Sequence, residues 1–146
     1  MKKTIAAVVC AAAAALSVQV HAEDAKVLRM ACESTYAPFV FFDSETGKLK
    51  GFEIDLLEYV AKEMGRKLEV TNMGFDAIIP SMLTGITDVG ASAFTITPER
   101  AKRVLFSKPY YISGLSILVR AEDKDKIKSV KDIENCTICA QIGTSG

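Results

Sequence analysis

Apolar and polar positions along this chain switch between two periods. Short apolar runs bounded by breakers at 27–32, 66–72 and 88–93 predict β-strands. Two stretches of helical period lie between them. Over 52–64, Ile54, Leu57, Ala61 and Met64 share a face while Glu53, Glu58 and Lys62 fall elsewhere, and Gly65 follows as a left-handed stop. Over 76–84, Ile78, Ile79, Met82 and Leu83 are apolar, Pro80 falls within about the first turn, and Gly85 closes the segment. Strand, helix, strand, helix, strand implies right-handed crossovers and a parallel, doubly wound α/β sheet. Thr97-Pro98-Glu99-Arg100 then starts a short helix, with an N-cap hydroxyl, proline at the first helical position and an acid in the first turn. Brief strands are expected at 104–106, 115–120 and 137–142, with 107–111 irregular and 122–131 a solvated, charged stretch. The passage into a second unit is expected near Ser113-Gly114.

The N-terminus follows neither pattern. Met1-Lys2-Lys3 is a positive region, residues 5–18 are apolar and Ala-rich, and Val20-His21-Ala22 offers small residues at the cleavage positions, which together read as a secretory signal peptide cut after Ala22. The stretch is too short to span a bilayer. Cys10 sits inside the apolar region, which argues against a lipid anchor. Composition then bounds the rest. In 146 residues, 49% are hydrophobic and Lys+Arg equals Asp+Glu at 18 each, enough apolar content for one globular core and no basic block for nucleic acid. The sole histidine, His21, leaves with the leader, so His-dependent nucleophilic pairs and His-bearing zinc sites are excluded. Binding without a cofactor or metal becomes the default expectation.

Cys32, Cys136 and Cys139 remain in an exported, disulfide-permissive setting. Cys136-Thr-Ile-Cys139 has redox-motif spacing, but on a strand at 137–142 the two side chains would point to opposite faces and lack a helix N-terminus to acidify the first thiol. Cys32 and Cys139 are expected to be small buried apolar residues. Gly143-Thr144-Ser145-Gly146 reads as a turn into a helix that the chain does not include, which predicts a truncated polypeptide.

Ligands of open α/β sheets bind beyond the carboxyl ends of the strands. After the first strand come Glu33 and Tyr36, after the second Phe75, after the third Ala93, Phe94, Thr95 and then Arg100, and after the last Thr144 and Ser145. Arg100 stands out, because a cation in the first turn of a helix opposes the macrodipole. It pairs either with an anion held jointly by helix N–H groups or with a neighbouring acid, Glu99 or Asp76. Tyr36 and Phe75 are core residues or two walls around an apolar ligand stem, and Glu33 is a solvated acid or an acceptor for a donor-bearing ligand tip. Thr144 and Ser145 could add hydroxyl and N–H donors to the same anion as Arg100.

Glu33-Ser-Thr-Tyr-Ala-Pro-Phe39, Gly51-Phe-Glu-Ile-Asp-Leu56, Phe75-Asp-Ala-Ile-Ile-Pro-Ser81, Thr95-Ile-Thr-Pro-Glu-Arg100, Phe106-Ser-Lys-Pro-Tyr-Tyr111 and Gly143-Thr-Ser-Gly146 occur in one order over nearly the whole mature chain. In these strings the sequence resembles the periplasmic substrate-binding proteins of polar amino acid ABC transporters, the family 3 solute-binding proteins. The resemblance implies a type II periplasmic-binding-protein-like α/β clamshell. Residues 1–22 would be the signal peptide, 23–113 the first lobe without its C-terminal return segment, and 114–146 the start of an incomplete second lobe. It further implies an extracytoplasmic, periplasmic protein that captures an L-amino acid such as Arg, Lys, His or Gln and delivers it to an ABC permease. By resemblance, Arg100 would take the α-carboxylate with Thr95, Thr144 and Ser145, and the Ala93 carbonyl would lie near the α-amino group. Tyr36 and Phe75 would flank the ligand side chain beside Phe94, and Glu33 would contact its tip. Two other readings share the fold: a cyclohexadienyl dehydratase-like enzyme, for which only Glu33 is available as general acid, and the input module of a membrane sensor.

Overall fold

A computed structural model describes residues 26–145. The leader, with Cys10, His21 and the cleavage expected after Ala22, lies outside the described residues, as does Gly146. The described residues form two compact units, divided between Phe94 and Thr95. This division by compactness is distinct from the lobe boundary expected at 113/114.

The first unit is built around β1 (Val27–Cys32), whose alternation sends side chains to two covered faces. Strand β5 (Lys67–Asn72) runs parallel to it from Val27↔Lys67 to Cys32↔Asn72, and β6 (Val89–Gly90) pairs on its other side at Met30↔Val89 and Ala31↔Gly90. On one face Leu28, Met30 and Cys32 join Val40, Ala91 and the apolar stripe of helix α1 (Phe52–Glu63), Ile54, Leu57 and Ala61. On the other, Ala31 packs with Phe75 and Ile78 of helix α2 (Phe75–Leu83). The parallel α/β sheet, both helices and the three strands thus stand near their expected places.

Three boundaries or placements differ. The third strand is two residues long rather than 88–93, because Asp88 is engaged with Arg29 and the backbone turns into positive φ at Ala93. Pro80 lies inside α2 instead of in its first turn. Glu53, expected off the apolar face of α1, is fully buried.

An antiparallel sheet of β2 (Thr35–Tyr36), β3 (Val40–Phe42) and β4 (Leu49–Lys50) interrupts the path from β1 to α1 and was not predicted. Asp43 folds its β3–β4 turn, accepting from the Glu45 and Thr46 N–H groups, the Thr46 hydroxyl and Lys50 Nζ. Those contacts, led by Lys50, hold the Asp43 carboxyl well below the usual carboxylate range.

The second unit carries helix α3 (Pro98–Ala101), capped as expected by the Thr97 hydroxyl accepting the Arg100 N–H at 3.2 Å. Two single 3-10 turns follow, Ala121–Asp123 and Val130–Ile133, the latter closed by a Ser129–Asp132 capping box. The strands expected at 104–106, 115–120 and 137–142 do not form among the described residues. A strand is defined by its ladder, and none of these apolar runs is paired in a sheet there; Leu105, Leu115 and Leu118 are exposed.

Candidate functional site

At the carboxyl edge of the parallel sheet, three successive residues are each tied to a different element. Ser92 Oγ accepts the Glu33 N–H and donates to the Glu33 carbonyl, both at 3.2 Å, which joins the end of β1 to the segment after β6. Ala93 donates its N–H to both Glu53 carboxylate oxygens, at 2.9 and 3.0 Å, joining that segment to the first turn of α1. Phe94 stacks on Phe75 at the start of α2, with ring centroids 4.4 Å apart. The sequence-predicted residues Glu33, Phe75, Ala93 and Phe94 are therefore brought together.

Ala93 adopts φ +49°, the left-handed region that non-glycine residues rarely occupy. Holding it there costs about 1–3 kcal/mol. A charge-assisted bond to a buried carboxylate contributes about 1.5–3 kcal/mol, enough to offset that strain. Glu53 stands at the positive end of a twelve-residue helix and meets this N–H, two features that favour a carboxylate there. Sequence reasoning missed it, although Glu53 precedes Leu57 by four residues and Ala61 by eight, which places it on the buried stripe.

The helix reaches this depth through Gly51. Its φ of +133° and its approach to the preceding turn leave no room for a side chain, since an added Cβ would stand 2.2 Å from the Phe39 carbonyl oxygen. That approach lets Phe52 and Glu53 donate their N–H groups to the Pro38 and Phe39 carbonyls at 3.0 and 3.1 Å.

The predicted aromatic pair divides by environment. Phe75 is 9% exposed and stacked on Phe94, whereas Tyr36 is 50% exposed and stacks on Phe39 at 5.5 Å. Glu33, half-buried, accepts from the Thr35 hydroxyl at 2.7 Å.

In the second unit, Arg100 Nη1 donates to the Thr95 carbonyl at 2.9 Å and Nη2 to the Gly143 carbonyl at 2.7 Å. Both acceptors are backbone carbonyls, and together they orient the guanidinium. Ser145 Oγ donates to Thr95 Oγ1 at 3.2 Å, and Thr144 Oγ1 donates to the Gln141 carbonyl at 2.7 Å. Arg100, Thr95 and Ser145 thus form one cluster, with Thr144 adjoining it in sequence: a fixed cation among hydroxyls, the chemistry that recognises a carboxylate.

Cys32 is buried as expected, and burial, then Glu53 and Glu33, push its thiol up to about 11. Cys139 is exposed, contrary to expectation, as is Cys136; without a strand at 137–142 the opposite-face argument does not apply to the pair. Among the described residues no group of His, Cys, Asp and Glu could hold a metal ion, and no helix is long and apolar enough to cross a membrane.

Comparison with known proteins agrees with this architecture. Residues 28–136 match the family model of bacterial extracellular solute-binding proteins, family 3. A probable histidine-binding protein of Campylobacter jejuni is 35% identical over 117 residues, covering 80% of this chain and 44% of the relative. The crystal structure of the ancestral amino acid-binding protein AncCDT-1, described as a precursor of cyclohexadienyl dehydratase, is 45% identical with a TM-score of 0.69, over 74% of this chain and 47% of that one. The arginine-bound form of truncated ArgBP from T. maritima is 38% identical with a TM-score of 0.79, over 85% and 58%. The chain spans about half the length of the curated relatives it matches. Its fold is that of the periplasmic amino acid-binding proteins, in part. With the matched residues covering most of the described chain, it belongs to the bacterial extracellular solute-binding proteins, family 3.

Proposed function

We propose that this chain captures a polar or basic L-amino acid outside the cytoplasm, in the periplasm, and hands it to an ABC permease in the membrane. The observation that carries the reading is the Arg100 cluster: a guanidinium oriented by the Thr95 and Gly143 carbonyls, with the Thr95 and Ser145 hydroxyls beside it. An α-carboxylate is the group common to all amino acids, and a bidentate guanidinium with added hydroxyl donors matches its geometry. Thr144 is assigned to the same anion. Ligand choice is assigned to the first unit, where Glu33 would accept from a donor-bearing side chain and Tyr36, Phe75 and Phe94 would contact its apolar stem beside Ala93. Relatives named for histidine and arginine support a ligand of that kind.

The test is a thermal-shift panel of all L-amino acids against the full encoded polypeptide. A ligand at about 100 times its Kd stabilises by ~2.7 kcal/mol, a shift of several degrees. The reading expects a shift with Arg, Lys, His or Gln that Arg100→Ala abolishes. No shift with any amino acid contradicts it. The AncCDT-1 neighbour, named as an enzyme's precursor, makes prephenate and arogenate turnover the companion assay; turnover would replace the binding reading with a dehydratase using Glu33 as acid.

A further inference from the structure

We propose that Glu53 is a positioning residue for ligand recognition: its buried carboxylate holds the Ala93 N–H, and through it the left-handed turn that sets the course of Ala93, Phe94 and Thr95. The proposal rests on the amino acid-binding reading and names how its first unit is kept in shape.

Four observations converge on it. Glu53 is fully buried, yet both its oxygens are aimed at one backbone N–H, an arrangement that fixes a direction and not merely a contact. The residue it grips is the one non-glycine residue with positive φ among the described residues. The turn lies between two other ties, Ser92 to Glu33 and Phe94 to Phe75, so its conformation decides whether both can form together. Gly51, whose Cβ would collide with the Phe39 backbone, admits the start of α1 close enough to deliver the carboxylate. A carboxylate there only to fill volume would need neither the helix end nor the strained partner.

Physically, Ala93 in the left-handed region is a conformation that a small backbone bias can populate or abandon. Remove the acceptor, and the segment relaxes toward extended backbone, swinging Phe94 away from Phe75 and displacing the chain that leads into Thr95. Replace Ala93 by glycine as well, and the left-handed turn no longer opposes the chain's preference, so the loss is partly repaired.

The experiment uses the full polypeptide, with L-arginine as probe in calorimetric titration and amide hydrogen exchange at Ala93 as the structural readout. Glu53→Leu, which keeps volume but removes both acceptors, is expected to weaken arginine binding about tenfold and to remove protection at Ala93. Glu53→Gln, which retains one acceptor, is expected to keep protection and most of the affinity. Ala93→Gly alone sets the reference affinity, and Glu53→Leu/Ala93→Gly should fall short of it by much less than Glu53→Leu falls short of the unaltered protein. A purely structural role would lower stability in Glu53→Leu without rescue of affinity by glycine. If arginine binds the unaltered protein and Glu53→Leu leaves affinity unchanged, or if glycine rescues nothing, the positioning role is overturned and the binding function stands. If the unaltered protein takes up neither arginine nor any other amino acid, the function fails and the positioning role falls with it, whatever the amide shows.

Discussion

Replacing Gly51 by alanine tests the packing that delivers α1 to the site. The new Cβ would stand 2.2 Å from the Phe39 carbonyl oxygen, 2.6 Å from its carbon and 2.9 Å from the Pro38 oxygen, all backbone atoms that no rotamer change can move. At φ +133° and ψ 169° the position lies in a region essentially reserved for glycine, worth about 1–3 kcal/mol of strain for any other residue. Relief of the clash requires the turn and the helix to part. That loses the Phe52–Pro38 and Glu53–Phe39 hydrogen bonds, at about 0.5–1.5 kcal/mol each. The total of about 2–6 kcal/mol is a large share of the ~5–15 kcal/mol that holds a typical domain. Gly65→Ala and Gly85→Ala are the controls: φ is +66° and +74°, but nothing lies within 4 Å of an added Cβ, so only the ~1–2 kcal/mol of left-handed strain applies. Urea unfolding followed by far-ultraviolet circular dichroism reads all three as changes in midpoint at constant slope. A Gly51→Ala cost within ~0.5 kcal/mol of the two controls would refute the close-approach reasoning.

The other expectations concern charge and thiols. Arg29 grips Asp88 through its main-chain N–H, Nε and Nη2, at 2.9, 3.0 and 2.7 Å, and the guanidinium hydrogen bonds hold the Asp88 carboxyl below its ordinary value of 3.8. A lowered folded pKa means that this contribution is complete above about pH 4 and fades as the pH falls through the lowered value. Asp88→Asn should thus cost about 1 kcal/mol at pH 7, modest for a pair in partial contact with solvent, and the gap to the unaltered protein should narrow as the pH falls below 3.8; a gap that does not narrow in acid contradicts the linkage. Cys136 and Cys139, both exposed, should react with iodoacetamide at pH 8 in the folded protein while Cys32 waits for denaturant, since with its thiol near 11 only about one Cys32 in a thousand is thiolate and it is buried. Peptide mapping by mass spectrometry checks this, and rapid native labelling of Cys32 would contradict the burial.

How far the sequence could be read followed the range of the interactions that shape each part. Leu28, Met30 and Cys32 alternate with residues of the opposite face, and Ile54, Leu57 and Ala61 recur at helical spacing, so the parallel core declares itself locally. Thr97 before Pro98 marks a helix start by the same local logic. The β2–β3–β4 sheet does not, because strands of two or three residues are too short to carry a period. The runs at 115–120 and 137–142 are apolar enough for strands, yet strandedness depends on a distant backbone partner that no window can contain. At the carboxyl edge of the sheet, the placement of Glu33, Phe75, Ala93 and Phe94 was legible from their positions after strands. Glu53 and Ser92 were not, since each acts through a contact about forty to sixty residues away: Glu53 with Ala93 and Ser92 with Glu33. An acid on the apolar stripe of α1 was the one signal available, and it reads as an error of pattern until the strained partner is seen.

The central claim, carboxylate capture by Arg100, is tested most directly by calorimetry with L-arginine and with agmatine, which keeps the guanidinium and chain but lacks the α-carboxylate. In the unaltered polypeptide, arginine should bind about 100-fold more tightly than agmatine, as expected when a charged hydrogen-bonded pair is lost. In Arg100→Ala the two should bind equally weakly. Equal affinity for both ligands in the unaltered protein, or discrimination that survives Arg100→Ala, would contradict the account.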